Sequence, residues 1–210
     1  MGNTLLLVGG GGHCSSVLDS VLQTNKYKRI GIIDNDSTAS HMGVAVVGTD
    51  DDLPRLWNEG WKDAFVALGS VNSTMNRRRI FSLLKEIGFY IPCIVDESAI
   101  VAKDVEIGEG TFVGKRAVVN AGTHIGRCVI INTGSIIEHD CNVGDMSHIS
   151  TGAVICGNVS IGKDTHIGAN SVVRQSVFIG NNSLIGVGSV VVKEIPDYVT
   201  AYGNPCRVVR

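Results

Sequence analysis

Residues 125–150 read IGRCVIINTGSIIEHDCNVGDMSHIS, and within them a valine or isoleucine recurs at every sixth position, starting from Ile125. The same spacing extends from this stretch in both directions. Counting by sixes meets only these two residue types at Val95, Val101, Ile107, Val113, Val119, Ile125, Ile131, Ile137, Val143, Ile149, Ile155, Ile161, Ile167, Val173, Ile179, Ile185 and Val191. A period of six matches neither the roughly 3.6 residues of a helical turn nor the alternation of one long strand. It therefore predicts a short strand and a corner, repeated many times.

Two further features accompany the repeat. The residue four places after each aliphatic position is small or β-branched, as at Ser135 and Ser147, so we expect the aliphatic side chain to point inward and the small residue to let the chain turn. Glycine often follows the aliphatic directly, as at Gly126 and Gly144. We predict that it serves there because a corner asks for a backbone conformation that is costly for a residue with a side chain.

The chain changes character near Val95, which predicts two domains. Residues 5–8 read as a buried strand, four glycines and His13 follow, and residues 14–23 read as a helix. A second strand at 30–33, a third at 64–68 and a helix at 77–86 complete an α/β Rossmann-like domain with parallel strands over residues 1–92. Residues 93–210 form the all-β solenoid and its tail. Cys14 replaces the third glycine of the dinucleotide fingerprint, so NAD binding is not expected.

Composition and charge exclude several classes. The net charge is −2, and no basic run is longer than the three arginines from Arg77, so binding of nucleic acid is not expected. The apolar run at 5–8 is far too short for a membrane span, and we predict a cytoplasmic protein. The six cysteines form no C-x-x-C pair, so neither a metal site nor a disulfide framework is indicated.

The repeat resembles that of the hexapeptide-repeat acyltransferases. The resemblance implies a left-handed parallel β-helix with three six-residue units per triangular coil, so that residues 18 apart stack. It also implies a homotrimer with sites between neighbouring solenoids. With a glycine-rich Rossmann unit in front, the chain is similar to the acetyltransferases that modify UDP-linked 4-amino sugars, GDP-perosamine or sialic acid.

The segment 132–141 matches the catalytic stretch of those enzymes, N-T-x-S-x-I-E-H-[E/D]-C. The resemblance makes His139 the general base and Asp140 its orienting partner, with Glu138 as the alternative partner. An amine or hydroxyl that attacks a thioester must lose a proton, and imidazole titrates near neutrality. No serine or cysteine lies in a nucleophile motif, so we expect direct attack on acetyl-CoA. In the family a backbone N–H near Gly157 stabilises the oxyanion, and Gly157 lies one coil beyond His139.

The same resemblance assigns the binding residues. Acetyl-CoA is expected to contact His148, Gly157 and Ala169. The acceptor is expected to contact Gly11, Gly12, His13, Asp34, Asn35 and Gly69. For Asp34 two interpretations stay open, a ribose contact or a strand-end cap. We favour a functional role for His13, because an imidazole after four glycines is poorly placed to pack. His166 has no assignment and is interpreted as a surface residue.

These inferences lead to one function and two alternatives. The first is transfer of an acetyl group from acetyl-CoA to the 4-amino group of a UDP- or GDP-linked amino sugar, without a metal. The second is O-acetylation of sialic acid or a related sugar. The third, from another class, is a non-catalytic or carbonic-anhydrase-like solenoid, which would need a cluster of histidines for zinc.

Overall fold

The computed structural model describes residues 3–36, 40–71 and 73–210. The first part of the chain is an α/β domain around one sheet of strand order β3-β4-β2-β1-β5. Its elements are β1 (Thr4–Val8), α1 (Gly12–Gln23), β2 (Arg29–Ile33), β3 (Ser40–His41), β4 (Val44–Gly48), a 3₁₀ turn (Asp50–Asp52), α2 (Leu53–Asn58), β5 (Asp63–Val66) and α3 (Met75–Ile87). The strands β1, β2, β4 and β5 are parallel, as predicted, and the short β3 is antiparallel to β4.

The sequence prediction missed β3, β4, the 3₁₀ turn and α2. It also began α1 two residues late, because Gly12 and His13 already belong to the helix. The strand β1, buried from Leu5 to Val8, lies between β2 and β5, as expected of a central parallel strand. The chain crosses from one side of β1 to the other on going to β5, so the carboxyl ends of β1 and β5 meet at a topological switch point, where ligands of open α/β sheets bind.

The second part is a left-handed parallel β-helix. Each two-residue strand ends in one of the repeating aliphatics, and strands 18 residues apart pair in parallel, as Ile131 does with Ile149. The strands are β6 (Ile94–Val95), β7 (Ile100–Val101), β8 (Glu106–Ile107), β9 (Phe112–Val113), β10 (Val118–Val119), β11 (His124–Ile125), β12 (Ile130–Ile131), β13 (Ile136–Ile137), β14 (Asn142–Val143), β15 (His148–Ile149), β16 (Val154–Ile155), β17 (Ser160–Ile161), β18 (His166–Ile167), β19 (Val172–Val173), β20 (Phe178–Ile179), β21 (Leu184–Ile185) and β22 (Val190–Val191).

The strands form the three faces of a triangular prism. Face 1 contains β6, β9, β12, β15, β18 and β21 and continues into a terminal hairpin of β23 (Thr200–Gly203) and β24 (Cys206–Val208). Face 2 contains β7, β10, β13, β16, β19 and β22, and face 3 contains β8, β11, β14, β17 and β20. Corners are named here by the two faces that they join, so residues 138–141 form part of corner 2/3.

The interior of the prism is a continuous aliphatic core. From Val113 to Val191 the repeating valines and isoleucines are buried. The small residues four places after these aliphatics are mostly buried too, and the hydroxyl groups among them link successive coils. Thr165 Oγ1, for example, donates to the Gly180 carbonyl at 2.7 Å and accepts from the Ser183 N–H at 3.2 Å. Each buried hydroxyl of this kind is therefore satisfied, which removes the cost of burying it.

The glycines after the aliphatics have a different role from the predicted one. None of them has a left-handed φ; that conformation falls two residues later, for example at Gly110 (φ 73°) after Gly108 and at Met146 (φ 63°) after Gly144. A Cβ on Gly162 would instead lie 2.6 Å from the Asn181 nitrogen of the next coil. Glycine at this place lets successive coils approach, so the prediction of its reason was wrong.

The α/β domain packs against face 1. Residues of α1 pack with the outward side chains of Ile94, Phe112 and Ile130, and residues of α3 pack with Cys128 and Met146 at corner 3/1. Polar contacts add to this junction: Ser20 Oγ donates to Asp96 at 2.5 Å, and Lys115 pairs with Asp19 at 2.6 Å at corner 1/2. The domain thus covers face 1 and both of its corners. Corner 2/3 is the remaining corner, on the opposite side of the prism.

No helix among residues 3–36, 40–71 and 73–210 combines the length and the hydropathy that crossing a membrane requires.

Candidate active site

His139 lies at corner 2/3 beside a carboxylate. Its Nδ1 is 2.8 Å from Asp140 Oδ2, so an aspartate, although shorter than a glutamate, reaches the imidazole directly. The left-handed backbone of Asp140 belongs to the corner geometry and brings the two neighbouring side chains together. This bond raises the pKa of His139, with further contributions from the charges of Asp140 and Glu138. Asp140, rather than Glu138, is therefore the residue that orients the ring through Nδ1.

The other ring nitrogen faces Gly157, one coil further along. A Cβ on Gly157 would lie 2.6 Å from His139 Nε2 and 2.7 Å from Cε1, so only glycine leaves room for the ring. Among the described residues none accepts a hydrogen bond from the Gly157 N–H. The corner thus places a free backbone donor next to the nitrogen that can act as a base, which is the pairing that acyl transfer needs.

This pair is open to solvent within a single chain. The His139 side chain is 62% exposed and that of Asp140 is 66% exposed. Cys141, two residues on, is buried in the prism core, where its thiol contacts the carbonyls of His139 and Cys156. The imidazole and the free amide therefore form one wall of a candidate site. No described residue of the α/β domain of the same chain, on the opposite side of the prism, reaches them.

A second group of sequence-predicted residues lies on face 1. His148 and His166 are paired in adjacent strands, and their rings meet edge to face with centroids 4.8 Å apart. They line a cavity of 240 Å³ between the solenoid and the loop after β5, together with Ser70, Thr74, Asp164 and Asn182. The interpretation of His166 as a surface residue was wrong: it is half-buried against His148, and its Nε2 contacts Ser150 Oγ at 3.2 Å.

His148 has partners on both ring nitrogens. Nδ1 is 3.1 Å from the Ser70 carbonyl oxygen in the α/β domain, and Nε2 is 3.2 Å from the Asn132 amide nitrogen in the solenoid. Burial lowers its pKa to about 3, and Arg77 and the two other histidines nearby act in the same direction. The ring is therefore neutral at physiological pH.

Arg77 is a residue of this region that the sequence analysis did not assign. It is 2% exposed, and its guanidinium donates to Ser70 Oγ at 3.2 Å, to the Met146 carbonyl at 3.1 Å and to the Cys128 carbonyl. All three acceptors are neutral. Next to it, Asp164 accepts from Thr74 and from Arg78. These contacts tie Ser70, Thr74, Arg77 and Arg78 to corner 3/1. The run of three arginines from Arg77 was the signal in the sequence that could have marked this contact.

The acceptor candidates of the α/β domain gather at the carboxyl edge of its sheet. Gly11 and Gly12 start α1, and a Cβ on either would meet nothing within 4 Å. The first N–H groups of a helix have no partner within the helix, so this edge can receive an anion. Asp34 and Asn35 line a 180 Å³ cavity with Gly9, Leu68, Asp50 and Arg79.

Two of these candidates have structural contacts as well. Asp34 accepts a hydrogen bond from the Gly10 N–H at 2.6 Å and from the Asp36 N–H at 3.1 Å, so its carboxylate shapes the glycine loop. The His13 ring packs edge to face on Phe112 at 5.4 Å, contrary to the expectation that it is poorly placed to pack. Its Nε2 is buried without a partner among the described residues, and burial lowers its pKa to about 4. Gly69 lies against it, because a Cβ there would be 3.3 Å from His13 Cβ.

The predicted residues thus lie at separate places within one chain. His139, Asp140 and Gly157 share corner 2/3, whereas His13, Gly69 and His148 share the junction on face 1. Ala169 lies at corner 1/2, between the two. The other acceptor candidates lie at the carboxyl edge of the α/β sheet: Gly11, Gly12, Asp34 and Asn35. Among the described residues, no group of three or more His, Cys, Asp or Glu side chains is arranged to hold a metal ion.

Comparison with protein families matches both parts of the chain. The family described as PglD N-terminal domain matches residues 4–84. Bacterial transferase hexapeptide (six repeats) matches residues 140–175, and hexapeptide repeat of succinyl-transferase matches residues 104–139 and 158–193. The search of curated proteins finds no significant match.

Solved structures resemble the chain over its whole length. The acetyltransferase domain of PglB from Neisseria gonorrhoeae FA1090, in complex with acetyl coenzyme A, is 33% identical with a TM-score of 0.94, and the match covers 100% of both chains. A mutant of perosamine N-acetyltransferase from Caulobacter crescentus, in complex with CoA and GDP-perosamine, is 33% identical with a TM-score of 0.94, covering 99% of this chain and 97% of that chain. WeeI from Acinetobacter baumannii AYE is 25% identical with a TM-score of 0.82, covering 98% of this chain and 99% of that chain.

Proposed function

The chain belongs to the hexapeptide-repeat sugar acetyltransferases that carry a PglD-type N-terminal domain, and on that premise we propose that it transfers the acetyl group of acetyl-CoA to the 4-amino group of a nucleotide-linked amino sugar. The observation that carries the proposal is the pairing at corner 2/3 of an imidazole, oriented by Asp140 through Nδ1, with the free N–H of Gly157 beside Nε2.

The proposed reaction is a direct attack. The sugar amine forms a C–N bond to the thioester carbonyl carbon, and His139 Nε2 takes the proton that the nitrogen loses. The Gly157 N–H donates to the oxyanion that forms on the carbonyl oxygen. As the tetrahedral intermediate collapses, the C–S bond breaks and the CoA sulfur leaves with the proton that the imidazolium returns. Asp140 holds the proton on Nδ1 throughout and steadies the imidazolium, as the acid of a hydrolytic triad does.

The second part of the proposal is a homotrimer in which each site is shared between two chains. Two observations support it. First, the base at corner 2/3 is exposed and lies on the opposite side of the prism from the acceptor candidates. Second, the outward residues of face 2 form an apolar column that stays partly or fully exposed in the described part of the chain: Ile100, Val118, Ile136, Val154, Val172 and Val190. Packing this column against a neighbouring copy would bring corner 2/3 next to that copy's α/β domain.

The proposed acceptor site is the carboxyl edge of the α/β sheet. The diphosphate is placed at Gly11 and Gly12, where the start of α1 favours anions, and the nucleoside is placed in the cavity of Asp34 and Asn35. The sugar then extends past His13 and Gly69 toward the neighbouring base. The similar enzyme from C. crescentus is in complex with GDP-perosamine, which supports a nucleotide-linked amino sugar as the acceptor class.

The test is a panel of acceptors. The full chain is incubated with acetyl-CoA and, in turn, UDP-linked 4-amino sugars, GDP-perosamine and free sialic acid, while the release of free CoA thiol is followed. We expect turnover with a nucleotide-linked amino sugar and an N-acetyl product by mass spectrometry. Turnover with sialic acid alone would replace this proposal with O-acetylation, and thiol release with none of them would remove it.

A further inference from the structure

The column of small inward residues behind corner 2/3 is mostly apolar. It reads Val105, Thr123, Cys141, Val159 and Val177. Valine has no group that can donate a hydrogen bond, so within this column only Thr123 and Cys141 can do so. Both lie at the candidate active site, because Cys141 follows Asp140 and Thr123 lies one coil before Cys141.

The Cys141 thiol holds the peptide group that carries the free N–H of Gly157. Sγ lies 3.2 Å from the Cys156 carbonyl oxygen, to which no backbone N–H donates among the described residues. The His139 carbonyl is further from Sγ, at 3.6 Å, and already accepts from the Asn158 N–H. Burial raises the pKa of the thiol, so it keeps the hydrogen that it donates.

This bond sets the direction of the Gly157 N–H. The peptide group is planar and trans, so its C=O and N–H point in opposite directions. A Cys156 carbonyl that is held at the core therefore turns the Gly157 N–H outward, toward the surface on which His139 is exposed. A hydrogen bond to the carbonyl also polarises the peptide, which makes its N–H a stronger donor.

The Thr123 hydroxyl holds the peptide group that leads into His139. Its Oγ1 donates to the Glu138 carbonyl at 3.0 Å and accepts from the Cys141 N–H at 3.3 Å, and the side chain is buried. The hydroxyl therefore bonds to the backbone on both sides of His139 and Asp140. Each donor of the column thus fixes the peptide just before one half of the candidate site.

We propose that Thr123 and Cys141 are positioning residues of the candidate active site. From the core, the hydroxyl fixes the backbone on both sides of the base, and the thiol aims the N–H of Gly157 at the oxyanion. The inference rests on the proposed function, because it takes His139 as the base and Gly157 as the oxyanion donor. Base and oxyanion donor both act on the transition state, so loss of either contact should lower kcat and leave the KM of both substrates unchanged.

The first test removes the same hydroxyl at two corners. Thr123→Val loses its two bonds at corner 2/3. Thr111→Val loses the corresponding pair at corner 3/1, where Oγ1 donates to the Gly126 carbonyl at 2.8 Å and accepts from the Val129 N–H at 3.0 Å. We expect both variants to lower the melting temperature to a similar extent, because each loses the same kind of bonds. Only Thr123→Val should lower kcat, by about tenfold, with each KM within about twofold of the unsubstituted protein. Thr123→Ser keeps the hydroxyl and should restore most of kcat.

The second test concerns the thiol. Cys141→Val introduces the residue that the same column carries at Val159 and Val177, so the core can accept it, whereas Cys141→Ser keeps a donor. We expect Cys141→Val to lower kcat about threefold to tenfold at an unchanged KM for both substrates, because a thiol is a weak donor. Cys141→Ser should retain most of kcat.

Three results would overturn the proposal. Equal losses of kcat in Thr123→Val and Thr111→Val would mean that weakening any corner slows the reaction. An unchanged kcat in Cys141→Val would remove the role of the thiol. The third result needs no turnover: in ¹H–¹⁵N spectra of the full chain, the Gly157 amide responds to a bond on the carbonyl of its own peptide, so its ¹⁵N shift should change in Cys141→Val and return in Cys141→Ser. An unmoved shift contradicts the contact. If the unsubstituted chain acetylates no acceptor, the proposed function fails, while the amide shift still decides whether the thiol holds this peptide.

Discussion

Gly157→Ala should remove activity without weakening the fold. The added methyl would lie 2.6 Å from His139 Nε2 and 2.7 Å from Cε1, where ordinary van der Waals contact begins at 3.4 Å. The ring must therefore retreat by roughly 0.8 Å, and a misplacement of about this size costs on the order of 100-fold in rate. Because the imidazole is exposed it can move away freely, and Gly157 does not use a left-handed backbone, so the folded chain accepts alanine.

The assay compares kcat with thermal unfolding for Gly157→Ala and for Gly162→Ala. In the second variant the methyl would meet the Asn181 backbone nitrogen of the next coil at 2.6 Å, which cannot retreat, and we expect a loss of about 1–3 kcal/mol of stability. The first variant should lose about 100-fold in kcat at an unchanged melting temperature.

A double-mutant cycle gives the decisive result. If the methyl acts by displacing the imidazole, Gly157→Ala should cost little more in a chain that already carries His139→Ala. Full additivity of the two losses, or a Gly157→Ala variant with unchanged kcat, would refute the placement of the base against this glycine.

Four further outcomes follow from the contacts described. His139→Ala should lower kcat by about 10²–10⁴-fold with the assembly intact by light scattering, and retained turnover would reject it as the base. Asp140→Asn replaces the carboxylate that raises the pKa of His139 with a neutral amide, so the pKa should fall. Because the proposed base acts in its neutral form, the acid limb of the kcat/KM profile should move to lower pH, and an unmoved limb would contradict the pairing. Val154→Asp places a charge in the apolar column of face 2 and should convert the proposed trimer to monomers in sedimentation, whereas an intact trimer would show that the copies meet elsewhere. Arg77→Met leaves the Cys128 and Met146 carbonyls without their donor and should cost about 2–4 kcal/mol in denaturant unfolding, whereas a change within about 0.5 kcal/mol would show that the buried guanidinium contributes little.

The solenoid could be predicted from the sequence because the residues that contact each other are a fixed number of positions apart. Each aliphatic packs on the residue 18 places away, so a pattern in the sequence is also a pattern in space. The pairing of Gly157 with His139 follows from the same arithmetic. The role of the glycines that follow the aliphatics was misinterpreted. The period gives their positions, but it does not say whether a left-handed φ or the approach of a neighbouring coil requires glycine there.

The junction of the two domains could not be predicted in this way, since it joins residues without a shared period. The packing of His13 and the burial of His166 were misjudged, because their surroundings come from Phe112 and His148 in another domain or coil. The predicted role of His13 in binding the acceptor stays a prediction. One signal was available. The outward residues of face 1 include Ile94, Phe112 and Ile130, whereas those of face 3 are mostly polar, so a count by eighteens would have indicated which side is covered.

The 18-residue coil also dictates which insertions and deletions the architecture can absorb. Removing or duplicating a complete coil on the C-terminal side of Arg174 would shorten or lengthen the prism. Every remaining side chain would stay on its original face. Removing a single hexad between Asn132 and His139 would rotate the imidazole by one third of a turn relative to the α/β domain, with the aliphatic core still intact. Within the solenoid, related chains should therefore differ in length by multiples of eighteen residues, even though an insertion or deletion of six residues would preserve the aliphatic core.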